Sequence, residues 1–270
     1  MGISAILRMF FFSLLCLQGV ALHADALPAI TIIIDDMGNH QAQGEAALEL
    51  QGAVTYAFLP HTPYAVRLAE KAHDQGKEVM LHLPMDAREG NALGPGALNL
   101  HMTETQFKQT LWENLNAIPH VSGLNNHMGS LLTRHPGAMG WMMQALTEEW
   151  PELYFVDSRT TRSTVAQEIA SEYQVPNTRR DVFLDNEPSA DAIERQFRVL
   201  IELARRQGYA VGIGHPYPQT VAVLQRVLSD LQIENVRLIS ASTMIELQQR
   251  RKSWPEPSSP LLRVAKSSKL

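Results

Sequence analysis

Ala29-Ile30-Thr31-Ile32-Ile33-Ile34-Asp35-Asp36-Met37-Gly38 is the stretch on which the fold turns. From Ile30 to Ile34 every side chain is β-branched and only Thr31 is polar. A strand with one wet face alternates apolar and polar residues. A strand buried on both faces reads as a continuous apolar run, and parallel sheets bury both faces. The run then stops on two carboxylates. Adjacent residues at a strand end point to opposite sides unless the chain bends, and Met37-Gly38 offers a bend. One carboxylate could then bind a cation while the other faces a bound water. The plainer alternative is an N-cap and a surface charge for the following helix.

Working outward, the same kind of run recurs. Further strands are expected at Ala53–Leu59, Glu78–Leu83, Val121–Asn125, Leu153–Asp157, Val182–Leu184, Tyr209–Ile213 and Val236–Ile239, after the first at Ala29–Asp35. Helical segments lie between them. Thr103–Asn116 opens with a capping box, Thr103 followed by Gln106. Pro136–Glu149 starts on a proline. Ala190–Gln207 keeps Ile193, Phe197, Leu200 and Ile201 at helical spacing, and Pro216–Leu231 does the same with Val221, Leu224 and Leu228. Asp86–Leu100 is rich in Gly, Asn and Pro and reads as a long loop. Repeated strand–helix units imply right-handed crossovers. The expectation is an α/β fold in one domain, a distorted (β/α) barrel of seven or eight mainly parallel strands, with an open doubly wound sheet as the alternative.

The ends of the chain differ from this body. Arg8 is followed by an almost wholly apolar run from Met9 to Leu22, and Ala24-Asp25-Ala26 supplies a small-x-small cleavage pattern. Residues 1–26 are expected to be a signal peptide, residues 27–250 the barrel, and residues 251–270 a Pro/Ser-rich basic tail without fixed structure. An uncleaved anchor is the other reading of the N-terminus. Ser13 and Leu15 do not suit a lipoprotein box around Cys16, which is the chain's single cysteine. Cleavage near Ala26 would leave no thiol chemistry in a periplasmic or secreted protein with no membrane-spanning segment. The 270 residues are 45% hydrophobic and 19% charged, an ordinary globular balance. A net charge of -5 makes nucleic acid a poor partner.

The strand ends carry the chemistry. Asp35-Asp36, His61, His82, Asn125-Asn126-His127, Asp157-Ser158-Arg159, Asp185-Asn186 and His215 each close or follow an expected strand. In a parallel barrel these ends share one face, where the active site sits. His82 lies in an apolar run, where a core histidine is the usual explanation. His127 stands in a polar, glycine-flanked turn. One carboxylate, Asp36, with His82 and His127 would suit a catalytic zinc or a similar divalent ion. His215, just before Pro216, stands where a helix dipole would lower its pKa unless a carboxylate partner kept it protonated. Asp157 and Arg159 form either an orienting ion pair or a structural one beneath the loops. His61, Asp185 and Arg180 give weaker signals. His40, His73, His101, His120 and His135 read as surface residues. No phosphate-binding loop, dinucleotide fingerprint or G-x-S-x-G elbow is present.

Five segments together resemble the divergent polysaccharide deacetylase family, distant relatives of the NodB-type metal-dependent carbohydrate esterases. They are Ile34-Asp35-Asp36-Met37-Gly38, His82-Leu83-Pro84-Met85, Asn125-Asn126-His127-Met128-Gly129-Ser130, Asp157-Ser158-Arg159-Thr160 and Gly212-Ile213-Gly214-His215-Pro216. The resemblance spans about Leu27 to Leu247. It implies a metal at the C-terminal strand ends, with Asp35 as general base, Asp36 as ligand and His215 as general acid. His61, Asn125, Asn126, Asp157, Arg159 and Asp185 would bind or orient the substrate. The chain departs from the relatives' H-x-x-x-H pair: His82 is followed by Leu83-Pro84-Met85-Asp86, and His127 would take the second histidine's place. The implied partner is an acetylated polysaccharide or glycan, and the implied activity is removal of its acetyl groups. The rival readings are a non-catalytic barrel binding carbohydrate or protein, and a metal hydrolase for another ester.

Overall fold

The Ile30–Ile34 run lies inside a parallel sheet. The computed structural model describes residues 27–88 and 92–253, so the proposed signal peptide and the tail beyond Ser253 lie outside the described residues. The strands are β1 (Ala29–Met37), β2 (Thr55–Phe58), β3 (Glu78–Met85), β4 (Val121–Met128), β5 (Tyr154–Asp157), β6 (Asn177–Arg179), β7 (Val182–Phe183), β8 (Tyr209–Gly214) and β9 (Arg237–Leu238). The helices are α1 (Gln41–Leu48), α2 (Ala65–Asp74), α3 (Glu104–Ala117), α4 (Pro136–Glu149), α5 (Ala166–Glu172), α6 (Ala190–Gln207), α7 (Pro218–Leu228) and α8 (Ala241–Ser253). The order is β6-β5-β4-β3-β2-β1-β8-β7, with β9 on β1. The sheet curls into a single α/β domain whose end strands β6 and β7 do not pair. This is the distorted barrel, with an open seam.

The unbroken apolar runs follow from a core on each side of the sheet. Ile30, Ile32, Ile34, Val79, Leu81 and Leu83 belong to the larger cluster under the helices. Ala29, Ile33, Ala57, Met80, Tyr154, Val156, Val211 and Ile213 form a second cluster inside the barrel. Alternation along each strand divides the two sets. Gly123 shows how tightly the inside is filled: a Cβ there would lie 2.4 Å from the Tyr154 ring.

Helix α8 brings Ala241, Met244, Ile245 and Leu247 into that inner cluster. Its N-terminus is held by Glu78. Oε1 of Glu78 accepts from Ser242 N–H at 3.1 Å and from the Tyr154 hydroxyl at 2.7 Å. Thr55 Oγ1 accepts from Ala241 N–H at 3.0 Å. Glu78 and Thr55 sit at the N-terminal ends of their strands, so α8 closes the barrel at the end opposite the polar strand termini.

Local signals behave as their chemistry requires. The Thr103–Gln106 capping box forms at α3, Pro136 starts α4, and Ser189 caps α6, which ends on left-handed Gly208. Differences are small. The helix expected from Pro216 begins at Pro218, with Tyr217 as N-cap. The strand expected at Val236–Ile239 shrinks to Arg237–Leu238. The edge strand β6, Asn-Thr-Arg, has no apolar signature to announce it.

Candidate active site

Register places the site. In the β3–β4 pair, His82 is opposite Asn125 and Pro84 is opposite His127. Asn125 and His127 therefore share the face of β4 that His82 occupies on β3, the interior face. On β1 the bend comes earlier than Met37-Gly38. Asp36 itself adopts φ 56°, and the β1–β2 register shifts between Ile34 and Met37. That bulge sets both carboxylates among the same histidines: Asp35 Oδ2 is 3.7 Å and Asp36 Oδ1 3.2 Å from His82 Nε2. His61, Met128 and Arg159 also have positive φ close to C-terminal strand ends. Such strain gathers where surrounding structure fixes a functional geometry.

Three atoms meet at the centre. Asp36 Oδ1 is 3.2 Å from His82 Nε2 and 3.0 Å from His127 Nδ1, and the two ring nitrogens are 3.1 Å apart. The hydrogen bonds around them define the protonation. Asn125 Nδ2 donates to Asp35 Oδ1 at 2.8 Å, so its amide oxygen faces His82 Nδ1, at 2.7 Å. His82 Nδ1 must then be the donor, and the neutral ring offers a lone pair at Nε2. Asp36 Oδ1 is buried and meets no donor in hydrogen-bonding geometry. An anionic oxygen without a partner thus converges with two imidazole nitrogens that lie within hydrogen-bonding distance of each other. Tetrahedral ligands around zinc at about 2.0–2.1 Å would be spaced about 3.3 Å apart. The donor set Asp36, His82 and His127 therefore fits a divalent cation.

The electrostatics agree with the packing. Burial pushes the Asp35 carboxyl up, against the pull of His82 and His215. Burial also opposes charge on Asp36, but the His127 and His82 rings outweigh it and hold that carboxyl well below the usual range. For His82, burial is overcome by the charges of Asp35 and Asp36, and its pKa rises.

His215 is built differently from the helix-terminus expectation. Asp185 Oδ1 is 2.9 Å from its Nδ1, while Asp185 Oδ2 accepts from the His215 N–H and the Thr220 hydroxyl, each at 2.7 Å. Burial alone would depress the ring. The bond to Asp185, with the charges of Asp185, Asp36 and Asp35, raises its pKa to about 9. The carboxylate prevails over the dipole. Nε2 is turned to the cluster, 3.8 Å from Asp36 Oδ2. Phe183 and Tyr217 flank the ring, with centroids 5.6 and 5.2 Å away.

Asp35, His82, His127 and His215 line one cavity of about 730 Å³, together with Asn126, Ser158, Arg162, Arg180, Phe183 and Gln196. Asn126 braces its rim, accepting from Ser158 N–H at 2.9 Å and donating to Met128 O at 2.7 Å. Asp157 does not use the Arg159 guanidinium as its hydrogen-bond partner. It accepts from the Arg159 backbone N–H at 2.8 Å and the Thr164 hydroxyl at 2.9 Å, stapling the loop after β5. His61 stands outside the cavity lining, exposed, with Nε2 3.1 Å from Asn114 Oδ1 on α3. Arg162, Phe183, Gln196 and Thr220 carried no sequence signal. Each lies in a loop, an edge strand or a helix, and only the curled sheet brings it to the site.

The model of the divergent polysaccharide deacetylase family matches residues 32–245, and the chain belongs to that family. Escherichia coli YibQ, described as uncharacterized, is 37% identical over 226 residues, 84% of this chain and 70% of the relative. An uncharacterized Haemophilus influenzae protein is 35% identical over 215 residues, 80% of this chain and 76% of the relative. Among solved structures, an uncharacterized protein of Agrobacterium tumefaciens superposes with a TM-score of 0.77 at 21% identity, covering 81% of this chain and 89% of that one. The catalytic domain of a peptidoglycan N-acetylglucosamine deacetylase from Eubacterium rectale gives 0.52 at 14% identity, covering 80% and 90%. These two likenesses show the fold. Among the described residues no helix is long and apolar enough to cross a membrane.

Proposed function

We propose that this chain is an exported, metal-dependent hydrolase that removes acetyl groups from an envelope carbohydrate. Family membership supports the reaction class, and the Met9–Leu22 run with Ala24-Asp25-Ala26 supports export to the periplasm or beyond. The observation that carries the reading is the convergence of Asp36, His82 and His127 within 4.8 Å, with both histidines lining a cavity shared with Asp35 and His215.

Asp36, His82 and His127 would hold a divalent ion, zinc being the first choice for one carboxylate and two imidazoles. Bound there, the ion would polarise the acetyl carbonyl and make a water molecule more acidic. The chain's own groups supply the rest. Asp35 is the base: Asn125 holds one of its oxygens, and burial raises its proton affinity toward the range a base needs. His215 is the acid: Asp185 holds Nδ1, so the proton it can give is on Nε2, which faces the cluster. It passes to the leaving sugar nitrogen or oxygen. Asn125 couples base and ligand, because one amide fixes Asp35 and the tautomer of His82.

The test is to purify the chain from Leu27 onward without chelator and measure bound metal by mass spectrometry, beside Asp36→Ala and His127→Ala. Near-stoichiometric zinc, nickel, cobalt or manganese that falls in both variants, with acetate released from an N-acetylated glycan by the loaded protein, is the expected result. A folded protein that takes up no metal on reconstitution would overturn the reading and favour a binding role.

A further inference from the structure

The cavity runs well beyond the reacting groups. At about 730 Å³ it is far larger than one acetamido group, and it falls among sites that take ligands of several rings. One of its walls comes from the loop after β5 and the link between β6 and β7, beside the open seam. That wall is firmly built. The Thr160 hydroxyl donates to Met128 O at 2.7 Å. Arg180 donates from Nε to Ser158 O at 2.6 Å and from Nη2 to Arg159 O at 2.9 Å, and its guanidinium lies 4.7 Å from the Phe183 ring centre.

Among the described residues no ion pair joins the charges on this wall. Arg180 keeps Nη1 beyond those two bonds, and burial lowers its pKa against the charges of Asp35, Asp157 and Asp181. Arg162 is exposed, lines the cavity and forms no ion pair among the described residues. The nearby carboxylates already hold donors of the chain: Asp157 holds the Arg159 N–H and the Thr164 hydroxyl, and Asp181 Oδ2 holds the Val211 N–H at 2.9 Å. Ser158 lines the same wall, with a buried hydroxyl that has no partner. A buried hydroxyl without a partner is uncommon in a folded protein. Two guanidinium groups on one cavity wall are the chemistry that receives a carboxylate or phosphate.

We infer that the glycan this site takes is acidic, with a carboxylate or phosphate on a sugar next to the acetylated one held against Arg162 and Arg180. The inference rests on the proposed function only in placing the acetylated sugar at Asp35 and His215.

The experiment uses the zinc-loaded protein and three tetrasaccharides of equal length. One is neutral N-acetylated chitotetraose, one a glycan strand whose N-acetylmuramic acid units have free carboxylates, and one a 6-phosphorylated chitotetraose. Binding is measured by calorimetry at low salt and acetate release alongside it, for the parent, Arg162→Gln and Arg162→Lys. An acidic glycan should bind about tenfold more tightly than the neutral one. Arg162→Gln should bring that ratio close to one, and Arg162→Lys should keep most of it. The carboxylated and phosphorylated arms identify the acid. Equal binding of all three glycans, binding of none, or a ratio unchanged in Arg162→Gln would overturn the inference. Acid preference without acetate release sustains it and removes the hydrolase reading, whereas acetate release without acid preference does the reverse.

Discussion

Asn125 shows how much one side chain does at the centre of this protein. It is fully buried, and its amide donates to Asp35 and faces the His82 Nδ1–H. Replacing it with leucine strands a buried carboxylate and a buried ring N–H. Asn125→Leu should lower stability by about 2–4 kcal/mol, as two unpaired buried groups require, and weaken zinc binding about 10–100-fold, as loss of an outer partner of a ligating histidine does. Urea unfolding and a competition titration with a chelating dye would measure the two effects. Asp185→Asn separates the roles differently. It removes the charge that keeps His215 protonated but touches none of the three candidate ligands. Acetate release should fall by about 10²–10⁴-fold, the share of a general acid, with metal content unchanged by mass spectrometry. A parallel loss of metal would count against the assigned division of labour.

At the scale of elements, the parallel strands are legible from Ile30–Ile34 and its counterparts because burial on both faces leaves no polar period. The helices α1 and α5 are harder to read. Their buried faces are made largely of small residues: Gly44 and Ala47, then Ala166 and Ala170. Alanine contrasts little with its polar neighbours, so the helical period is faint. Helix α8 hides for another reason, since its apolar residues fill the inside of the barrel. Gly123 belongs at this scale because it lets β4 pass the Tyr154 ring. Gly123→Ala should force that ring and its bond to Glu78 to shift, destabilising the protein by about 1–3 kcal/mol, the usual range for overpacking. Thermal unfolding would register this as a fall in Tm, and an unchanged Tm would mean that the interior has slack.

For the whole molecule, the site joins β1, β3 and β4 through Asp36, His82 and His127. A bound ion would tie distant parts of the chain together and stabilise only the folded state. At a free metal concentration 100 times the dissociation constant, the gain is about 2.7 kcal/mol. Adding a chelator should therefore lower Tm by several degrees in the parent and leave Asp36→Ala unmoved, as differential scanning calorimetry would show.

The sequence by itself determined the parallel α/β architecture, the polar C-terminal strand ends, the capping box of α3, the proline start of α4, and the family motifs. These depend on local periodicity and on residue types side by side in the chain. The tertiary structure decided how those residues act together. His127 meets His82 because β3 and β4 pair in one particular register. Asp35 and Asp36 both reach the cluster because the backbone turns to positive φ at Asp36. His215 is held protonated because Asp185, thirty residues earlier in the chain, lies 2.9 Å from it. Arg162 and Arg180 share a wall with Ser158 because β5, β6 and β7 come together at the seam. Each of these contacts is made across strands by packing and hydrogen bonding between residues far apart in sequence, and no local pattern in the chain encodes such a distance.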